Sequence, residues 1–185
     1  MKIPLFKLGR NGIKMFTLLT IFLFSSCLGK DDGEPQTAQE ILIETLRNVN
    51  QDQLQNDLEI IDEEIDLLGL TEDILKEPNG VRYIIHRLGT GNKPSLNSTV
   101  RIRYSGKLLS SGEEIDANDD LEIILSALLI GMQTTLPLIP EGSEVTLYIP
   151  SGYAYGPNEY RDDDGNVFIP FNSNLIFEVE LLEVN

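Results

Sequence analysis

The sequence has very few of the residues on which metal binding and thiol chemistry depend. Its 185 residues include one cysteine, one histidine and no tryptophan. A single cysteine excludes an intrachain disulfide and a paired-cysteine redox motif. A single histidine excludes a histidine cluster for zinc or copper within one chain. The sequence therefore predicts no metal site and no bound cofactor.

Basic residues are also scarce. Lysine and arginine number 14 against 30 aspartate and glutamate residues, which gives a formal net charge of -16. Phosphate recognition needs clustered lysine and arginine, so we expect no nucleic-acid partner. The simplest interpretation of the acidity is solubility. The hydrophobic fraction of 41% is enough for the core of one domain, with or without an appendage.

The N-terminal residues have the pattern of an export signal. Four basic residues precede an apolar run over residues 15–24, which meets Ser25, Ser26 and Cys27. This order is typical of a secretory signal peptide, and the run is shorter than the roughly 20 residues that span a bilayer. We therefore expect residues 1–26 to be a signal peptide. Residues 27–36 are polar and interrupted by glycine and proline, which favours a flexible tether.

The residues Phe24 to Cys27 resemble the lipobox of bacterial lipoproteins. That resemblance implies cleavage before Cys27, lipidation of Cys27 and anchoring of the exported chain in the cell envelope, with the outer membrane as the expected site. Several acyl chains give stable anchoring, where one chain is marginal. The alternative is an ordinary cleaved signal peptide followed by an incidental cysteine.

Residues 37–76 are predicted to form an acidic helical segment. Thr37 and Glu40 have the spacing of a capping box. An apolar stripe within residues 54–68 recurs at alternating intervals of four and three residues: Leu54, Leu58, Ile61, Ile65 and Leu68. The acidic residues between them, beginning with Asp57, are expected to face solvent. The stripe packs on its own domain in the preferred interpretation; self-association and docking on another protein are the alternatives.

Residues 77–185 change to the alternating pattern of strands. Val100, Ile102 and Tyr104 alternate with Arg101 and Arg103, which predicts a half-buried strand. Further strands are expected at 81–88, 121–125, 145–149 and 174–184, with one short buried helix over 126–136. The predicted fold class is α+β, with an antiparallel twisted sheet wrapped around one short helix.

Two features that suggest chemistry favour a structural interpretation. His86 lies within a predicted strand and has no nucleophile motif as a partner. The acidic run at 162–164 lacks the glycine position and the downstream glutamate of an EF-hand loop, so a solvated turn is expected.

The stretch from Ile149 to Gly156 is the best candidate for a binding surface. Tyr153 and Tyr155 follow a Pro-Ser-Gly break after an apolar strand, which indicates a wall built on a loop. The stretch contains no strong base and no metal ligand. Binding through apolar surface and a tyrosine hydroxyl is therefore expected, with Tyr155 in the site and Tyr153 in packing.

An ordered set of motifs over residues 80–185 resembles the FKBP-type peptidyl-prolyl isomerases. The set consists of Tyr104-Ser105-Gly106, Asp116, Gly131, Glu141-Gly142, Ile149-Pro150, Tyr153-Ala154-Tyr155-Gly156, Ile169-Pro170 and the strand at 175–182. The lipobox and the acidic segment resemble the envelope-anchored FKBP lipoproteins of Gram-negative bacteria, some of which are linked to gliding motility. The resemblance implies an FKBP-like isomerase domain over 77–185.

The resemblance also implies roles for individual residues. Tyr104, Asp116, the backbone N–H of Leu129 and the hydroxyl of Tyr155 would form the catalytic set. The substrate would be bound by a further apolar group: Ile115, Leu121, Leu128, Met132, Ile169 and Phe177. Ile115, Leu121 and Met132 stand where the family usually has aromatic residues, so slower turnover and weaker binding of macrolide inhibitors are expected.

The expected function is cis-trans isomerisation of X-Pro bonds in exported, proline-containing polypeptide clients. An apolar site would favour the twisted amide of the transition state without a proton donor or a covalent intermediate. The alternative is a non-catalytic FKBP-fold chaperone or an interaction module of an envelope complex.

Overall fold

The computed structural model describes residues 35–185 of the chain. The predictions for residues 1–34, including the signal peptide, the lipidation of Cys27 and most of the tether, lie outside the described residues. The described part has this order of elements: α1 Ala38–Asn48, α2 Gln51–Leu67, β1 Leu75–Lys76, β2 Arg82–Arg87, β3 Thr99–Leu108, β4 Glu114–Ile124, α3 Ile130–Thr135, β5 Glu144–Ile149, β6 Tyr160–Arg161, β7 Val167–Ile169 and β8 Leu175–Val184.

The main sheet has six antiparallel strands in the order β1-β2-β5-β8-β3-β4, and β6 and β7 form a separate ribbon. The alternation in β3 and β8 sends every second side chain to the core, as a strand period of two requires. In β8 the buried residues are Leu175, Phe177, Val179 and Leu181. The α+β architecture predicted from the sequence is therefore present.

The main core lies between the inner face of the sheet and α3. Met132 and Leu136 pack in one apolar cluster with Ile102, Leu147 and Phe177. Gly131 allows α3 to approach the sheet, because a Cβ atom at this position would lie 2.6 Å from the Ile149 side chain. The absence of a side chain at Gly131 thus lets α3 pack directly against β5.

The helix predicted over 126–136 is shorter than expected. α3 has six residues, and 3₁₀ turns at Leu125–Ala127 and Leu136–Leu138 flank it. Leu128 and Leu129 are extended, with ψ angles of 174° and 147°. The Gln133 side chain donates to the carbonyls of Ser126 and Leu128, at 3.1 and 2.8 Å, so these carbonyls have partners without a continuous helix.

The strand predicted at 121–125 is also wrong in its extent. β4 runs without interruption for 11 residues from Glu114. The residues in its middle, Asn118 to Asp120, have low strand propensity, so the sequence pattern does not predict one continuous strand. Pairing with β3 overrides this propensity, and a register irregularity between Ile102 and Tyr104 of β3 lies opposite these residues.

The two N-terminal helices pack on the sheet. The capping box is formed: the Thr37 hydroxyl accepts the Glu40 N–H at 3.3 Å, and Glu40 accepts the Thr37 N–H at 2.7 Å. Ile61 and Ile65 of α2 pack with Ile84 and Tyr148 on the outer face of the sheet. The buried part of the stripe is therefore used within the chain, while Leu68 is 52% exposed.

Asp57 contradicts its predicted place on a solvated acidic face. The residue is 1% exposed. It lies three residues after Leu54 and four before Ile61, so helical geometry puts it on the same face as the buried stripe. Ser151 supplies the hydrogen bonds that make this burial tolerable.

The predicted boundary between residues 76 and 77 falls between two paired strands, because Leu75 of β1 lies opposite Tyr83 of β2. Within residues 35–185 no helix combines the length and the apolar character that crossing a membrane would need.

Candidate active site

The loop after β5 holds Tyr155 in a fixed turn. A 3₁₀ turn at Ser151–Tyr153 follows Pro150. The carbonyl of Ser151 then accepts the N–H groups of Ala154 and Gly156, at 3.0 and 2.8 Å. Gly156 has a φ angle of +61°, which glycine adopts without a steric cost. These bonds bracket Tyr155, whose side chain is 9% exposed.

Tyr153, two residues earlier, belongs to a different surface. It is 2% exposed, and it lines a groove with Leu46, Leu54 and Pro78 beside the N-terminal helices. Both tyrosines also belong to the main apolar cluster, and Tyr153 lies on the side of it that borders the N-terminal helices.

Tyr104 and Asp116 form a hydrogen-bonded pair across β3 and β4. The Tyr104 hydroxyl donates to Oδ2 of Asp116 at 2.7 Å. Burial raises the pKa of Asp116, and the hydrogen bond from Tyr104 opposes this shift only in part. Burial and the neighbouring Asp116 carboxylate also raise the pKa of Tyr104 well above its usual value. Tyr104 is therefore a neutral donor at pH 7.

The Tyr155 hydroxyl is held neutral in the same way. Burial is the largest cause that raises the pKa of Tyr155, followed by the charge of Asp116 and the neighbouring Tyr160. None of the hydrogen bonds formed within residues 35–185 uses this hydroxyl. Tyr155 therefore offers a protonated O–H, beside a carboxylate, to a bound group.

Leu129 offers a second donor. Its carbonyl accepts the N–H groups of Met132 and Gln133, at 2.9 and 3.0 Å. Its own N–H has no acceptor within the described part of the chain. The extended backbone just before α3 thus leaves one N–H unused, which a regular helix over 126–136 would have bonded internally.

The apolar residues predicted for the site come together in one cluster. Met132, Ile169 and Phe177 are buried within it, and four half-buried residues pack against it: Ile115, Leu121, Leu128 and Leu129. Tyr104 and Tyr155 belong to the same cluster, and Asp116 joins it through Tyr104. All ten residues predicted from the resemblance therefore lie in or beside the main apolar core, which also contains residues outside the predicted site such as Leu54 and Tyr153.

Gly106 makes room for one wall of this region. A Cβ atom on Gly106 would lie 2.5 Å from two atoms of the Phe177 ring. The two residues are partners in the β3–β8 register, and the Tyr104 ring lies 5.9 Å from the Phe177 ring. A glycine is thus required where the ring crosses β3.

Two aromatic residues of the region were missed by the sequence-based prediction. The Tyr160 ring lies 5.1 Å from Tyr155, and Phe168 lies 6.5 Å from Tyr160. These three residues form an aromatic row on the β6–β7 ribbon and the Tyr155 loop. Tyr160 and Phe168 flank the turn predicted at 162–164, but nothing in the sequence of this segment places them beside Tyr155.

The acidic run at 162–164 forms the tip of that ribbon. Oδ1 of Asp162 accepts the N–H groups of Asp164 and Asn166, at 3.0 and 2.8 Å, which closes a tight turn. His86 lies elsewhere, with Nε2 2.7 Å from the Thr146 hydroxyl. Across residues 35–185, histidine, cysteine and carboxylate side chains form no group of three or more that could hold a metal ion.

Residues 90–182 match a family described as FKBP-type peptidyl-prolyl cis-trans isomerase. A peptidyl-prolyl cis-trans isomerase FkpA from Buchnera aphidicola is 32% identical over 116 residues, which cover 60% of this chain and 43% of that protein. The outer membrane protein MIP of Legionella longbeachae is 32% identical over 111 residues, covering 58% of this chain and 45% of that protein.

Solved structures agree with these sequence matches. The crystal structure of a peptidyl-prolyl cis-trans isomerase from Pseudomonas syringae superposes with a TM-score of 0.59 at 27% identity, covering 73% of this chain and 95% of that one. The aligned part of the chain spans less than half the length of both curated relatives.

Proposed function

We propose, because the chain belongs to the FKBP-type peptidyl-prolyl cis-trans isomerase family, that it isomerises X-Pro bonds in polypeptide clients. The observation that carries this proposal is the unused, neutral hydroxyl of Tyr155 beside the Tyr104–Asp116 pair, within one apolar cluster. Such a site can orient an amide, and its walls offer little to solvate one.

The chemistry needs no nucleophile. Rotation about a peptide C–N bond has a barrier of about 18–20 kcal/mol because the planar amide is stabilised by resonance. The twisted amide loses this resonance and becomes less polar, so it gains more than the planar ground state from leaving water. The apolar walls around Met132, Ile169 and Phe177 would supply that environment.

The polar groups would fix the substrate backbone. The Leu129 N–H and the Tyr155 O–H would each donate to a substrate carbonyl, since neither has an acceptor in the described part of the chain. Asp116 would impose its charge on the substrate amide while Tyr104 holds the carboxylate in place. Leu128 and Ile115 would contact the proline ring and its neighbours.

Aliphatic side chains at three positions where the family usually has aromatic residues would make turnover slower. Ile115, Leu121 and Met132 remain apolar and packed on the cluster, but they provide less ring surface. Tyr160 and Phe168 would compensate in part from the ribbon. Each factor of ten in rate corresponds to about 1.4 kcal/mol, so a few lost ring contacts lower the rate without abolishing activity.

The test is a refolding assay limited by proline isomerisation, with purified residues 27–185. The wild-type protein should accelerate the slow phase in proportion to its concentration. Tyr155→Phe should lower kcat/KM about tenfold, because it removes one hydrogen bond to the transition state. Tyr153→Phe is the matched control, since it removes the same atom two residues away, beside the N-terminal helices.

The outcomes separate the alternatives. A wild-type rate equal to the uncatalysed one, with suppression of client aggregation, would indicate the non-catalytic chaperone instead. An equal loss in both tyrosine variants would show that Tyr155 has no special role.

We further propose that residues 1–26 are removed, that Cys27 carries the lipid anchor, and that residues 77–185 are the isomerase unit of an exported protein. The lipobox-like residues 24–27 support the anchor, and one relative is named an outer membrane protein. Labelled palmitate, fed to bacteria expressing the full chain, should enter the wild-type protein and not Cys27→Ser. An unlabelled wild-type protein with another N-terminus would contradict the anchor.

A further inference from the structure

A buried carboxylate on α2 is bonded to the loop that carries Tyr155. We propose that Asp57 is a positioning residue for the Tyr155 loop, so that the N-terminal helices form part of the isomerase site. The inference rests on the proposed isomerase function for its effect on rate. Its structural part, the fixing of the loop by Asp57, is independent of that function.

Three donors satisfy the Asp57 carboxylate. Oδ2 accepts the Ser151 hydroxyl at 2.6 Å and the Ser151 N–H at 2.9 Å. Oδ1 accepts Nε2 of Gln53 at 2.7 Å. The Ser151 N–H is shared with Oδ1 of Asn174 at 3.0 Å. The Asp57 carboxyl group and the Asn174 amide oxygen therefore hold the Ser151 N–H from two sides.

The bonds continue from Ser151 to Tyr155. The Ser151 carbonyl accepts the N–H groups of Ala154 and Gly156, the two neighbours of Tyr155. Fixing the amide and the hydroxyl of Ser151 therefore also fixes the carbonyl that closes the turn. Hydrogen bonds through Ser151 therefore link Asp57 to the backbone on each side of the proposed catalytic tyrosine.

The connection between α1 and α2 contacts the same loop. A Cβ atom on Gly152 would lie 2.5 Å from Cγ2 of Val49, so this glycine admits the Val49 side chain. Ser151 and Gly152 are adjacent, and each is contacted by a different part of the helical segment. The loop is thus held by polar contact at one residue and by close packing at the next.

Packing of α2 on the sheet does not require a carboxylate. Ile61 and Ile65 provide apolar contacts on the outer face of the sheet, and an apolar residue at 57 would avoid the cost of burying a charge. What an apolar residue lacks is an acceptor for the Ser151 hydroxyl, and it would leave Asn174 as the single acceptor of the Ser151 N–H. The presence of an aspartate at position 57 is therefore explained by its hydrogen bonds to the loop and not by the packing of α2.

The decisive experiment compares three variants of residues 27–185. Asp57→Ala removes every acceptor on the side chain. Asp57→Asn keeps one oxygen for Ser151, and its amide can donate to Gln53 after a flip of that side chain. Ile61→Ala, one helical turn away, removes buried contacts to the sheet and none to the loop, so it reproduces a loss of stability alone.

Two readouts are measured under conditions in which each variant is folded. The first is amide hydrogen exchange at Ala154 and Gly156. The second is kcat/KM in the proline-limited refolding assay. Asp57→Ala should accelerate exchange at both amides and lower kcat/KM about tenfold, the size of effect that follows when a catalytic group is displaced by less than 1 Å. Asp57→Asn should restore both values, and Ile61→Ala should change neither.

Contrary results are equally clear. Unchanged exchange at Ala154 and Gly156 in Asp57→Ala would overturn the inference, and so would an equal loss of kcat/KM in Ile61→Ala. If Asp57→Ala does not fold, Ser151→Ala removes only the 2.6 Å hydroxyl bond and should accelerate exchange by a smaller factor. No change in that variant would also count against the inference. A wild-type protein without activity would refute the proposed function, and the exchange measurements would still decide the role of Asp57.

Discussion

At the scale of single residues, Asp116 stands in an environment that opposes its own charge. Burial raises its pKa, and the Tyr104 hydrogen bond recovers only part of the cost. The folded protein therefore binds the Asp116 proton more tightly than the unfolded chain does. Stability from the neutral form is complete below the unfolded pKa and is lost as the pH rises through the folded pKa. At pH 7 the ionised side chain costs stability, which suggests that it is kept for function.

Asp116→Asn is expected to separate stability from activity. The amide oxygen still accepts from Tyr104, but no charge has to be buried. The free energy of unfolding should therefore rise at pH 7, and this gain should shrink as the pH falls towards 4. Urea denaturation at several pH values measures the gain, and the refolding assay should show a lower kcat/KM. A variant less stable than wild type at pH 7 would mean that the carboxylate's hydrogen bonds outweigh its desolvation.

At the scale of elements, prediction from sequence succeeded where one face of an element is apolar and the other polar. β3 is the clearest case, since the alternation of Val100, Ile102 and Tyr104 with arginines lies within the observed strand Thr99–Leu108. Prediction failed where the structure of a segment depends on a partner distant in the sequence. β4 contains Asp119 and Asp120 and is a strand because β3 pairs with it. Asp57 is buried because Ser151, 94 residues away, donates to it.

The candidate site shows the same division. The resemblance, carried by many short motifs in order, predicts Tyr104, Asp116 and Tyr155 as members of one catalytic set, and the hydrogen bond between Tyr104 and Asp116 comes from the structure. The row formed by Tyr155, Tyr160 and Phe168 depends on how the β6–β7 ribbon folds beside the loop. No local pattern in residues 157–168 encodes that contact, so it could not be predicted from the segment alone.

The ribbon is expected to support Tyr155 through ring packing. Tyr160→Ala removes the ring 5.1 Å from Tyr155. An aromatic pair contributes about 0.5–1.5 kcal/mol beyond its area, so kcat/KM should fall about twofold to tenfold. Val167→Ala, on the exposed side of the same ribbon, is the control and should leave the rate unchanged. Equal rates for wild type and Tyr160→Ala in the refolding assay would remove the ribbon from the site.

At the scale of the whole molecule, basic residues on the surface of the sheet form ion pairs with acidic neighbours. Arg103 pairs with Glu180 at 2.6 Å, Arg101 with Glu183 at 2.9 Å and Lys107 with Glu178 at 3.2 Å. Exposed pairs of this kind contribute little to stability, typically about 0–1 kcal/mol each. Their larger effect is on the field, because acidic residues outnumber basic residues by 30 to 14 in the sequence, so pairing leaves an excess of negative charge.

That field should favour cationic clients through their rate of encounter. Two peptides with the same X-Pro bond, one with lysine and one with glutamate two residues away, differ only in charge. Attraction to an acidic protein raises the association rate at low ionic strength, and salt screens it within a Debye length of about 10 Å at 0.1 M. We expect a higher kcat/KM for the lysine peptide at about 10 mM salt, with the ratio approaching one near 1 M. A ratio that does not change with salt would mean that discrimination arises from contacts within the site and not from the charge of the molecule.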